Sequence, residues 1–128
     1  MAFIVDTETG DMTLVQGDSG DLFVQGLNTD KNYTVYFAFY NSKRRRIGTE
    51  VYVTSNQQPN VTLSIPASLT DLLTVPQGQE TAEYYYGIKV CYDYGNGIEY
   101  EDTCCIGDKD IGELNTITVY PKKVEGFE

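Results

Sequence analysis

Histidine and tryptophan are both missing from this chain, and cysteine, proline and positive charge are scarce. Each shortage removes a class of function. Without histidine there is no Ser-His or Cys-His nucleophile pair and no imidazole ligand for a metal. The three cysteines, Cys91, Cys104 and Cys105, are an odd number with no CxxC spacing. A zinc site is therefore not expected, and the thiols read as small apolar fillers kept in a reducing compartment. Cys104 and Cys105 fall on opposite faces of a strand, and a vicinal disulfide between them would be strained. No apolar run approaches the ~20 residues of a membrane helix. The opening MAFIVDTETG has neither a basic n-region nor an apolar h-region, so no secretory signal is expected there. The sequons Asn32-Tyr33-Thr34 and Asn60-Val61-Thr62 then carry little weight.

Nine Lys and Arg face 19 Asp and Glu, a net charge of −10, and the sequence pI is about 4.3. Nucleic-acid binding rests on cations that neutralise phosphates, so this balance argues against DNA or RNA as a partner. It favours solubility and the attraction of cations instead.

What the chain does have is 11 Tyr and five Phe in 128 residues, set among many Val and Thr, a composition suited to half-buried pleated surfaces. The length fits one domain, 1–128, able to bury a core without staples. Short alternating runs separated by turn signals follow one another along it. Phe3–Asp6 and Met12–Gln16 flank the turn Thr7–Gly10. Gly17–Gly20 is a second turn before Asp21–Leu27, and the polar loop Asn28–Asn32 leads into Tyr33–Tyr40. There Tyr33, Val35, Phe37 and Phe39 share one face, while Tyr36 and Ala38 make the other face apolar too, the pattern of a central strand covered on both sides. Ser42–Gly48 is a basic turn and Thr49–Thr54 a return strand. Asn56–Pro59 breaks the chain before Val61–Ile65, and Pro66 ends that strand. Residues 68–73 are the one helical candidate, with Ser68 and Asp71 spaced as a capping box and Leu69, Leu72 and Leu73 on one side, a plug for one end of a β core. Tyr84, Tyr86, Ile88, Val90 and Tyr92 alternate with Tyr85, Gly87, Lys89 and Cys91. Gly95-Asn96-Gly97 signals a hairpin returning through Ile98–Ile106, and Leu114–Tyr120 is a last strand stopped by Pro121. The expectation is an all-β fold, a single antiparallel β-sandwich of immunoglobulin-like or jelly-roll-like type. Residues 1–4 and 122–128 are left as candidate extended arms.

Chemistry is thin on this frame. Glu99 and Glu101 lie two apart on a strand, ~6–7 Å between side chains, near the spacing of paired glycosidase carboxylates. No burial to raise one pKa is evident, and a solvated strand face is the plainer account. Asp18-Ser19-Gly20-Asp21 and Asp108-Lys109-Asp110 offer oxygen ligands for calcium but match no calcium-loop spacing, and hairpin turns use the same residues. No catalytic residue, metal or cofactor is therefore expected. Two contact surfaces remain. Lys43, Arg44, Arg45 and Arg46 form a concentrated positive patch at a hairpin tip, either a solvated turn that guards against aggregation or a docking tip for an acidic neighbouring subunit. Tyr85, Tyr94 and Tyr100 are sheet packing with rim hydroxyls or, alternatively, the lining of a carbohydrate- or protein-binding surface.

Two segments carry a resemblance. FIVDTETGDMTLVQGDSGDLFV, with its early QGD, is similar in style to the N-terminal domain of phage baseplate upper proteins. YYYGIKVCYDYGNGIEYEDTCC followed by LNTITVYPKKVEG resembles small virion proteins of tailed phages of Gram-positive bacteria. The resemblance implies a non-enzymatic virion protein, a head decoration or a tail or baseplate adaptor, synthesised and assembled in the bacterial host cytoplasm. Its partners would be other virion proteins or further copies of itself. The chain ends soon after Pro121, which favours a small decorating or adaptor subunit over a receptor-binding fibre. Such a subunit would assemble through edge strands, the Lys43–Arg46 tip or the terminal arms, with copy number turning weak contacts into avidity.

Overall fold

The computed structural model describes residues 3–6, 8–24, 32–56, 58–93, 99–103 and 114–122, and at 55, 56, 93 and 99–103 the backbone alone. Nine strands and one helical turn are described: β1 (Ile4–Val5), β2 (Met12–Val15), β3 (Gly20–Val24), β4 (Asn32–Tyr40), β5 (Arg46–Asn56), β6 (Val61–Ile65), α1 (Ala67–Thr70), β7 (Ala82–Asp93), β8 (Glu99–Thr103) and β9 (Asn115–Tyr120). They make a β-sandwich of unequal layers. One sheet runs β1-β2-β9-β7-β4-β5 with β8 also on β7, and the other is β3 paired with β6.

Alternation decides which side of each strand is buried. In β6, Val61, Leu63 and Ile65 turn inward and Thr62 and Ser64 outward. Inward residues of the wide sheet include Val35, Phe37 and Phe39 of β4, Tyr86 and Val90 of β7, and Ile117 and Val119 of β9, all buried. Phe37 stacks on Tyr86 with ring centroids 5.4 Å apart and meets Phe39 edge-on at 5.0 Å. Each such side chain contributes about 1.5–3 kcal/mol on leaving water.

The pairing corrects a wholly antiparallel sandwich in one place: β2 lies parallel to β9, Met12 beside Ile117 and Val15 beside Tyr120. The turn after β2, with Gly17 at φ +83°, carries the chain across to the other layer, so β2 and β3 share no sheet. The run β9-β7-β4-β5 follows the G-F-C-C′ order of the wide sheet in variable-type immunoglobulin domains. A contact like the tyrosine corner accompanies that order. Near the start of β7, Tyr84 Oη donates to the Thr74 carbonyl 2.6 Å away, as the corner tyrosine of such domains bonds back to upstream backbone. Two residues on, where antibody domains carry a cystine sulfur, this chain buries Tyr86.

Two local expectations also change. The helical turn starts at Ala67 with Pro66 as N-cap and no side-chain cap, so the Ser68–Asp71 capping box does not form. Pro66 already accepts the Leu69 N–H through its carbonyl at 3.0 Å, which places Ser68 inside the turn. Asp71 pairs instead with Lys122 Nζ at 2.5 Å, and its carbonyl accepts from Gln16 Nε2 at 2.9 Å. Leu69 and Leu73 are buried and Leu72 is exposed. The turn does close one end of the core. It packs under Gly48, where an added Cβ would stand 2.6 Å from Leu69 Cδ1, and Thr70 Oγ1 donates to the Asp18 carbonyl at 2.8 Å. Nor is β4 covered on both sides. Ala38 is buried, but Thr34, Tyr36 and Tyr40 are only half-buried, shielded by neighbours on their own sheet and not by another layer of the described residues. At the start of the chain, Phe3 packs against the core and Ile4 opens β1; residues 1–2 and 123–128 lie outside the described residues.

Candidate functional site

Asn41 builds the basic tip between β4 and β5. Its Oδ1 accepts the backbone N–H of Lys43 at 2.9 Å and of Arg45 at 3.1 Å. Its own N–H donates to the Arg45 carbonyl and its carbonyl accepts from Arg44 N–H, each at 2.9 Å. Four bonds on one residue hold Arg44 at φ 61°, a left-handed conformation that costs a non-glycine residue ~1 kcal/mol or more. Lys43, Arg44 and Arg45 are exposed around that fixed turn. Arg46 is not part of the tip. It begins β5, where its Nη1 meets Glu50 Oε1 at 3.1 Å and its Nε donates to the Gly48 carbonyl at 3.1 Å. The turn thus presents three exposed cations on a fixed backbone.

Of the tyrosines chosen from sequence, Tyr85 and Tyr100 fall in alternate registers of the wide sheet. Tyr85 lies on the outer side of β7 in register with Tyr40 and Thr116. Its hydroxyl donates to Glu83 Oε1 at 3.1 Å, and that bond, with the carboxylate's charge and some burial behind it, raises the phenol's pKa above its usual value. Tyr100 registers with Tyr92, in the set of β7 residues alternate to Tyr85. Tyr94 lies outside the described residues, as do Cys104, Cys105 and Asp108–Asp110. Glu99 and Glu101 fall in β8, where only backbone is described.

A more concave surface lies one strand over. Ala38 and Gly87 are directly paired on β4 and β7, and two such small residues side by side leave a floor. Tyr36, Tyr40, Glu50, Lys89 and Leu114 rise around it to enclose a depression of about 180 Å³. Lys89 Nζ sits 5.2 Å from the Tyr36 ring centroid, and Tyr36 leans on Tyr52 at 5.9 Å. Drug-sized ligands need roughly 300 Å³ or more, so this hollow has room for one side chain or one sugar ring. The sequence signal was present in Tyr36-Ala38-Tyr40, a small residue between two rings on one face. Its partner glycine, about 50 residues away, could be matched to it only with the register known. Among the described residues no three His, Cys, Asp or Glu side chains are grouped to hold a metal, and no helix is long and apolar enough to cross a membrane.

The chain matches no protein-family model and no curated protein sequence. Among solved structures it is similar to the periplasmic chaperone SfaE, with a TM-score of 0.47 and 11% identity over 86% of this chain and 53% of that one. It is similar also to the E. coli chaperone DraB, with a TM-score of 0.46 and 12% identity over 98% of this chain and 59% of that one. The chain thus spans little more than half the length of either chaperone, and the likeness is one of fold alone.

Proposed function

We propose that this chain is a non-enzymatic structural protein of a phage particle, a head decoration or a tail or baseplate adaptor, working through protein–protein contact. The observation that carries the contact reading is the tip. Four of the nine cations lie at 43–46, leaving five against 19 acids elsewhere, and a fixed turn holds three of the four outward. Arginines bind carboxylates bidentately, and a turn already fixed in its backbone needs no loop ordering on binding, so the tip fits an acidic patch on a neighbouring subunit. The phage assignment is supported by the resemblance of the first and last segments to virion proteins. In the test, tagged protein is used to capture partners from a lysate of phage-infected cells. Particle proteins should be retained, and Lys43→Glu/Arg44→Glu/Arg45→Glu should lose them. Capture of no particle protein by the wild type would sink the reading.

A second reading, glycan binding, is favoured by the depression at Ala38 and Gly87, with aromatic walls for a sugar ring and Glu50 and Lys89 at its rim. Binding on a glycan array that is lost in Tyr40→Ala and kept in Tyr100→Ala would place the sugar there; loss in Tyr85→Ala as well would extend the surface along β7.

A further inference from the structure

An unpaired sheet edge offers a row of backbone donors and acceptors to any other strand, so natural sheets guard their edges with charge, proline, bulges or brevity. Most edges here are guarded. β1 is two residues long, β3 contains Asp21, and β8 reads EYEDT. β6 is five residues bracketed by Pro59 and Pro66. The exception is β5, which ends the wide sheet on its side and runs for 11 residues. Among the described residues no strand pairs with its outer edge.

Its guards are confined to its first half. The charges Arg46 and Glu50 are spent on each other at 3.1 Å, and the register against β4 is irregular only between Phe37 and Phe39. Beyond that, Val51–Asn56 reads VYVTSN, with no charge, proline or glycine, and holds unbroken register with Asn32–Phe37. Tyr52 in its middle is 65% exposed. The core also stops short here. Val51 and Val53 are half-buried, whereas Val35 and Phe37, their partners on β4, have no exposure.

We infer that Val51–Asn56 is the contact by which two copies of this chain join, β5 to β5 and antiparallel across a two-fold axis, fusing two wide sheets into one. An identical strand laid antiparallel on itself is complementary by symmetry. A pairing centred on Val53 sets Tyr52 beside Thr54 of the second copy and Glu50 opposite its Asn56, with no like charges opposed, and finishes the cover over Val51 and Val53. Two molecules each at −10 repel one another, and this neutral stretch is where they can approach without opposing acids. The inference gives the protein–protein reading a partner, but its test needs no particle component, so each can fail alone.

The test is sedimentation equilibrium of the purified full chain across the micromolar range, with hydrogen exchange at low and high concentration. A monomer–dimer equilibrium is expected, with backbone amides in 51–56 gaining protection as concentration rises. Tyr52→Lys/Thr54→Lys, both on exposed positions, should weaken the dimer at least about tenfold while the dilute protein stays folded by circular dichroism, and Thr118→Lys on β9 should dimerise as the wild type does. A chain that stays monomeric throughout overturns the inference. So does a dimer whose 51–56 amides exchange as fast as in the monomer, a reading that stands even if the lysine variant fails to fold.

Discussion

Tyr84 and Tyr86 stand two residues apart on β7, yet their hydroxyls bond to segments 64 residues apart in the chain. Tyr84 Oη donates to the Thr74 carbonyl, and Tyr86 Oη to the Gly10 carbonyl from inside the core. Burial, reinforced by the nearby Asp11 carboxylate, pushes the Tyr86 phenol up to about 12 from an ordinary 10.0. In the unfolded chain this group ionises near 10 and in the folded chain near 12, so its contribution is complete below pH 10 and lost as pH rises to 12. Chemical denaturation at stepped pH should show stability falling across that window by at most about 1.4 kcal/mol per unit from this group. Tyr86→Phe should flatten the slope. Tyr84→Phe removes the corner bond and should lower stability by about 1 kcal/mol. The alternation of EYYYGIKV was enough to assign inward and outward rings. Which carbonyl each hydroxyl reaches depends on Thr74 and Gly10, and nothing local in the sequence points to them.

At the scale of elements, the helical turn shows how far periodicity carries. Leu69, Leu72 and Leu73 are spaced as one helical side, but only one turn forms, so Leu72 swings to the surface while Leu73 stays in the core. Leu73→Ala should therefore cost about 2–5 kcal/mol and Leu72→Ala within about 0.5 kcal/mol, measured by urea unfolding. Equal costs would mean that the helix runs on through Leu73. The strands themselves were legible wherever one face was apolar, as in β6 and β9. The starting point of β5 was not, because Arg46 and Gly48 read as turn residues and only pairing with Tyr40 and Phe39 draws Arg46 and Ile47 into the strand.

For the whole molecule, charge separates the two proposed contacts by sign. A basic tip on an acidic partner is an attraction that salt screens beyond ~8 Å at physiological ionic strength. A dimer of two copies at −10 is held against repulsion that the same salt relieves. Raising sodium chloride should weaken capture through Lys43–Arg45 and tighten the β5–β5 dimer, read by pull-down and by sedimentation. The unequal layers and the parallel pair of β2 with β9 were not legible, since strand order follows from matching surfaces far apart in sequence. The hollow at Ala38 and Gly87 is hidden in the sequence for the same reason, and the Asn41 turn shows there only as a run of cations.

The pairing of β2 with β9 joins residues 12–15 to residues 117–120, and this sets the order in which a newly made chain can fold. While a ribosome is still working through the middle of the message, Met12 and Leu14 lack their partners on β9, and the first hairpin waits with its greasy side wet. Only when Ile117 and Val119 emerge can the sandwich shut. Such late closure between distant parts of a chain belongs to folding on the millisecond-to-second scale, long enough for a bare strand to find the wrong companion.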